Sequence, residues 1–224
     1  IYFANYDWPC NNFKMWKTNN PDSKWRFIAY DFDLSYGSDE SSEYNTKSLN
    51  HATSIESEWP YCDCSNRLLR KLMENEEFKI DFVNRFAYHI NNTFKSSTML
   101  DSINAFQTLF IPEIREHIER WNYPSSISQW QIYIGEMREF ARKRSCFMKD
   151  HIMDYMELTE FNYECPPDTL AYYSKLDIYP NPGKGKFSVH NSSPDVIIGD
   201  IYITSISGQV VYYKKDVILL LNEV

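Results

Sequence analysis

Between residues 78 and 94 five large apolar side chains recur at strict four-residue intervals: Phe78, Phe82, Phe86, Ile90 and Phe94. On a helix of 3.6 residues per turn this spacing lines up one apolar face, and such a face is stable only against another apolar surface. The stripe therefore demands a helix packed into a core. Helical spacing begins just before it, at Arg67, with Leu68, Leu69, Leu72 and Met73, so two helices follow each other closely. A third is predicted from about Thr98, where Thr98 and Asp101 have capping-box spacing, through Ile103, Phe106 and Ile114 to Trp121, with Pro112 as a kink or break. A fourth starts at Ser128, with Gln131 three positions on, and carries Trp130, Ile134, Met137, Phe140, Phe147 and Ile152. These aromatic stripes read as core, because no polar groups converge on them as a cofactor would require.

The segments flanking the helices have a different character. KWRFIAY at 24–30 follows the turn-like NNPDS at 19–23 and reads as a strand, with FKMWK at 13–17 as its hairpin partner. Residues 35–65 are polar, carry no sustained period and read as a long loop. TEFNYECPPDTLAYYS at 159–174 breaks the helical period at Pro166-Pro167 and reads as a linker. Beyond it, LDIYPNPGKGKFSVH and DVIIGDIYITSISGQVVYYKK alternate apolar with polar residues and place Gly185 and Gly208 at turns. The expected class is α+β: a mostly helical region over 1–158 with a short β-hairpin, the linker, and a small β-domain over 175–224.

Composition limits the partners. A net charge of −8 and a pI of about 5.2 argue against nucleic acid or an anionic membrane as the main partner, since both reward clustered lysine and arginine. The compact basic cluster Arg138, Arg142, Lys143 and Arg144 has the spacing of a solvated helix face. No apolar run approaches the ~20 residues that span a bilayer. Cys10, Cys62, Cys64, Cys146 and Cys165 are odd in number, and Cys62-Asp63-Cys64 lacks a second pair for a zinc site, so a disulfide or free thiols are expected. The opening IYFANYDW has neither an initiator methionine nor a signal peptide and reads like the interior of a domain.

The chemistry concentrates near that opening. NYDWPCNNFKMW at 5–16 places Asp7 five positions before Asn12, and AYDFD at 29–33 adds Asp31 and Asp33 after a hydrophobic strand. Phosphoryl transfer needs one carboxylate to take the proton of the incoming hydroxyl and oxygen ligands to hold magnesium on the phosphates. Protein kinases supply these as an aspartate, an asparagine five residues later and a second aspartate after a strand. By spacing alone the same residues fit turn caps and strand ends.

NYDWPCNNFKMWK followed by SKWRFIAYDFDLSYG resembles the CotH kinase family, named for spore coat protein H. LLRKLMENEEFKIDFVNRFAYHINNTF, PEIREHIERW and SISQWQIYIGEMREFARKRSCFMKDHI are similar, in the same order, to that family's helical half. The resemblance covers about residues 1–155. It implies a kinase-like C-lobe belonging to a secreted or surface atypical kinase that uses ATP and Mg2+ or Mn2+ to phosphorylate serine or threonine of a partner protein. Residue by residue, Asp7 matches the catalytic aspartate, Asn12 the following metal-side asparagine, and Asp31 the metal-binding aspartate of a YDxD run in which Asp33 is the second acid. Asn11, Lys14 and Trp16 match the motif as supports. The phosphate-gripping lobe of a kinase would precede Ile1, so this piece alone is expected to bind ATP poorly.

The C-terminal segment resembles the sorting domain of type IX secretion substrates, a small β-sandwich that directs export in Gram-negative bacteria. Tyr179, Pro180, Asn181, Pro182, Gly185, Lys186 and Phe187 match its opening, and Ser207, Gly208, Gln209, Val210 and Val211 its later turn and strand. After Lys215, DVILLLNEV departs from the family's glycine turn and closing strands, so the end is expected to be either truncated or shifted in frame and the sandwich incomplete. Two other readings compete with the kinase. One is a non-catalytic surface or adhesion module of the same fold. The other, prompted by DFDLSYGSDE at 31–40, is a calcium-binding surface protein, though that stretch lacks the acid spacing and the glutamate of an EF-hand loop.

Overall fold

The computed structural model describes residues 1–9, 11–38, 40–55, 63–166, 176–179, 188–191, 197–205 and 207–219. The chain divides into two compact units, Ile1–Leu100 with Glu136–Cys165 and Asp101–Gly135 with Pro166–Val224. The helices are α1 (Ser48–Thr53), α2 (Asp63–Met73), α3 (Glu76–Asn91), α4 (Ser96–Trp121) and α5 (Ile127–Tyr155). Six short strands, β1 (Lys14–Trp16), β2 (Arg26–Ile28), β3 (Leu176–Tyr179), β4 (Ser188–Asn191), β5 (Ile197–Thr204) and β6 (Val210–Leu219), pair consecutively into three antiparallel hairpins. This is an α+β chain in which helix predominates.

In the first unit the phenylalanine stripe does what its spacing requires. Phe78, Phe82 and Phe86 follow one another along α3 with ring centroids 6.3 and 5.7 Å apart, and Ile90 is fully buried. Asn75 caps α3 by accepting from the Phe78 amide at 2.9 Å, one of the orphan donors at a helix start. The turn after α3 brings Phe94 flat onto Tyr2, with centroids 4.5 Å apart. Tyr2 also meets Phe86 and Phe140 edge-on or tilted, and its hydroxyl lies 2.8 Å from Ser145 Oγ, so this buried phenol has a polar partner. Around it Leu49, Ala52, Ile90, Phe140, Ala141, Met148 and Ile152 complete the core.

Several expectations need correction. The polar stretch 35–65 holds a 3-10 turn at Glu40–Ser42 and the helix α1, which shows no period because it is only six residues long. Burial of Ser48, Leu49, His51 and Ala52 rather than propensity stabilises it. The third helix starts at Ser96, so Thr98 lies inside it, and it runs through Pro112 without a break. The capping pair of α5 is two residues earlier than its spacing suggested: Ser126 Oγ accepts from the Gln129 amide at 3.1 Å, and Gln129 reaches back to the Ser125 amide at 2.8 Å.

The basic cluster is not a solvated face. Arg138 is buried and Arg144 is fully buried, while Lys143 is exposed and pairs with Glu139. Arg144 crosses from α5 to the chain's opening and to the residues before α1. Its Nε donates to the Tyr2 carbonyl at 2.7 Å, its Nη1 to Tyr44 and Thr46 carbonyls at 2.7 and 2.8 Å, and its Nη2 to the Ile1 carbonyl and to Ser48 Oγ at 3.1 and 2.6 Å. Burial pulls its pKa down to about 9, still above neutrality, so a charged guanidinium is held by neutral oxygens alone. A disulfide joins Cys146 of α5 to Cys165 and ties the first residues of the expected linker to this unit.

In the second unit β5 and β6 pair through Ile197↔Leu219 to Thr204↔Val210, closed by a turn in which Gly208 takes φ +83° and its amide donates to the Ser205 carbonyl at 2.9 Å. That turn is the expected one at Gly208. The stretch DVIL, where a departure from the sorting pattern is expected, continues β6 opposite Ile197–Gly199. The PNPGKGKF segment and Gly185 lie outside the described residues, as do 167–174 of the linker.

Candidate active site

The expected hairpin forms from the middle of each predicted strand, with Lys14 opposite Ile28, Met15 opposite Phe27 and Trp16 opposite Arg26. It joins two stretches, 3–6 and 34–36, that are bonded to each other through the backbone. The Tyr6 amide donates to the Leu34 carbonyl at 3.1 Å, and the Tyr36 amide to the Phe3 carbonyl at 2.9 Å. These bonds place the Asp7 loop beside the segment carrying Asp31 and Asp33.

Asp31 is gripped by its backbone. The side-chain amides of Asn5 and Asn12 both donate to the Asp31 carbonyl, at 3.0 and 3.2 Å. Asn5 is buried, and its Oδ1 accepts from the Trp8 amide at 3.0 Å, so one residue ties Asp31 to the turn behind Asp7. Both amide orientations follow from their partners, because a carbonyl requires the NH2 end and an amide N–H requires the oxygen. Asn12 and Asp31 have φ of +55° and +57°, a left-handed conformation that short, locally bonding Asn and Asp tolerate better than most side chains. Such outliers cluster at functional sites.

The backbone around Asp7 is tied almost completely. Besides the Tyr6 and Trp8 amides, the Asp7 carbonyl accepts from the Asn11 amide at 2.7 Å. His51 of α1 points Nε2 at the Tyr6 and Trp8 carbonyls, 2.9 and 3.1 Å away, and its ring stacks on Tyr6 with centroids 4.7 Å apart. Two carbonyl partners require that Nε2 carry the proton. Burial pulls the His51 pKa down, and the two carbonyl bonds push the other way.

Among the described residues, the carboxylates of Asp7, Asp31 and Asp33 take no hydrogen bond or ion pair, and Asn12 keeps Oδ1 as an acceptor after spending its NH2 on Asp31. Asn12 and Asp31 are thus joined directly, and Trp8, the residue after Asp7, is joined to Asp31 through Asn5. Asp33 shares only the segment, exposed two residues after Asp31. Asn12, Asp31 and Asp33 carry only oxygen donors still open to a cation, and were they to hold one, that chemistry would suit magnesium or manganese. No group of three or more His, Cys, Asp or Glu side chains among the described residues is placed to hold a metal, so any such site would use two acids and an amide. Lys14 and Trp16 take part in cation–π contacts, Lys14 over Tyr30 at 4.7 Å and Arg26 over Trp16 at 5.9 Å. They are supports of the hairpin.

Sequence reasoning missed Asn5, His51 and Arg144. For Asn5 the one available signal was an Asx pattern, an asparagine three residues before a turn amide. His51 and Arg144 act across 43 or more positions of sequence, and no local pattern marks them.

A family model described as CotH kinase protein matches residues 1–148, and one described as secretion system C-terminal sorting domain matches residues 177–222. Neither the curated proteins nor the solved structures contain a match to the chain. The sorting domain implies the secretion machinery as a partner and a secreted or cell-surface location. No helix among the described residues is long and apolar enough to cross a membrane.

Proposed function

From the premise that this chain belongs to the CotH kinase protein family and carries a secretion sorting domain, we propose that it holds the phosphoryl-transfer site of an exported protein kinase. The donor is ATP, and the acceptor is a serine or threonine hydroxyl of a secreted or surface protein. The observation that carries this reading is an acid left unpaired among the described residues on a loop whose backbone is almost fully bonded: Asp7, held from both sides by Asn5 and His51. Pre-organised acids of this kind are what a positioning catalyst needs.

In this reading Asp7 accepts the proton of the hydroxyl as its oxygen bonds to the γ-phosphorus and the bond to the ADP oxygen breaks. Asn12 through Oδ1, with Asp31 and Asp33, would hold the divalent cation, which neutralises charge on the phosphates when bound. Asn5 and the Asn12 amide nitrogen fix Asp31 by its carbonyl and leave its carboxylate exposed. The second reading, a non-catalytic surface module, has one observation in its favour: no cluster of three acids is assembled among the described residues.

The test is incubation of the natural full-length protein with labelled ATP, magnesium or manganese and secreted protein from its own source. Label transfer is expected, with Asp7→Ala lowering the rate about 10²–10⁴-fold. Absence of transfer by wild type, or equal transfer by Asp7→Ala, refutes the kinase reading.

A further inference from the structure

We propose that His51 is the positioning residue of Asp7; this rests on the kinase reading for its kinetic consequence, though not for its geometry. Nε2 spans the carbonyls of Tyr6 and Trp8, the two residues that flank Asp7, at 2.9 and 3.1 Å. No other side chain among the described residues holds a carbonyl on each side of that acid. Among the described residues the loop is also tied by the Tyr6 amide to Leu34, the Trp8 amide to Asn5 and the Asn11 amide to Asp7, and His51 adds its bonds from α1.

Three further features fit this role. The imidazole is buried and stacked on Tyr6, so its ring direction is set from both ends. It sits on a rigid element: Leu49 and Ala52, its neighbours in α1, are fully buried, and Ser48 is held by Arg144. It also forms part of the wall of a pocket of about 610 Å³ lined by Tyr6, Lys47, Asn50, Thr53 and Tyr155. A protonation change or a ligand in that pocket would therefore reach Asp7 through one side chain. Loss of the imidazole frees two carbonyls and lets the Asp7 loop shift. A displacement of about 1 Å in a catalytic group costs on the order of 10²-fold in rate.

Two measurements on the full-length protein test the proposal. Amide hydrogen exchange of the segment Tyr6–Asn11 is expected to quicken at least tenfold in His51→Ala and to return towards wild type in His51→Gln, whose side-chain N–H reaches about as far as Nε2. Phosphate transfer in His51→Ala is expected to lose about 10–100-fold in kcat with the KM for ATP within about threefold, again with rescue by His51→Gln. Unchanged exchange in His51→Ala overturns the proposal, as does a kcat within twofold of wild type. If His51→Ala does not fold, His51→Gln decides alone: wild-type exchange and kcat support the tie, and loss of both overturns it. Inactive wild type would defeat the kinase reading, while the exchange experiment would still decide whether His51 holds the loop.

Discussion

Replacing Arg144 by alanine should destabilise the first unit by about 3–5 kcal/mol, a large part of the about 5–15 kcal/mol that holds a domain together. The guanidinium is fully buried and donates five hydrogen bonds, to the carbonyls of Ile1, Tyr2, Tyr44 and Thr46 and to Ser48 Oγ. Each charge-assisted bond contributes about 1.5–3 kcal/mol, and removing the donor leaves buried oxygens unsatisfied, but water entering the vacated space recovers part of the loss. The sum is therefore well below five times the single-bond figure. Arg144→Met separates two contributions, because it keeps a stem to pack beside Phe140 and Phe147, whose ring centroids lie 5.4 and 5.6 Å from the guanidinium carbon. It should recover about 1 kcal/mol of the loss. Lys143→Ala is the control: its ion pair with Glu139 is half exposed on both sides and should cost less than about 1 kcal/mol. Urea denaturation followed by near-ultraviolet circular dichroism, with hydrogen exchange of residues 136–155 to report on the first unit, measures all three. A cost below about 1 kcal/mol for Arg144→Ala, or one equal to that of Lys143→Ala, would refute the argument that this side chain fastens the chain's opening to α5.

Other outcomes follow from the same contacts. Asn5→Asp keeps an acceptor for the Trp8 amide but loses the donor to Asp31, so it should cost about 1–2 kcal/mol and weaken metal-dependent activity more than it weakens folding; equal activity to wild type would break the link. His151 is buried with Nε2 at 2.5 Å from Asn50 Oδ1, and burial, with Arg144 and Lys47 adding and Asp154 opposing, lowers its pKa to about 4. The unfolded chain then binds the extra proton between about pH 6.5 and 4, so stability is full above that window and falls by about 1–2 kcal/mol through it; thermal melts should show this, with a flatter profile in His151→Gln. Reduction of Cys146–Cys165, which closes a loop over a sequence separation of 19, should cost about 3 kcal/mol, read as a lower melting temperature with reductant. Ile90→Ala, at a fully buried site, should cost about 2–5 kcal/mol by urea denaturation.

Much of the helical framework was legible because its signals are local. The i, i+4 stripe of Phe78 to Ile90 specifies a buried helix face wherever it occurs, and it became α3 with its core side as expected. The hairpin of β1 and β2 and the turn at Gly208 were readable for the same reason, since turn residues act within a few positions. Helix α1 was not legible, because six residues give no period and its burial comes from distant partners.

The site divides along the same line. Asp7, Asn12 and Asp31 could be named from spacing and from family resemblance, but spacing cannot say which side chains stay unpaired or what holds them. Asn5 appeared as one more loop asparagine, His51 as a lone histidine in a polar stretch, and Arg144 as one of four cations on a helix. By itself the sequence determined the helices, the hairpin and the acids near the chain's opening, since these depend on neighbours within a turn or two. Only the tertiary structure decided that Arg144 is buried and that His51 and Asn5 brace Asp7 and Asp31, because those bonds join groups that meet only when the chain packs. A buried donor's place is set by the acceptors that surround it, and these come from distant parts of the sequence.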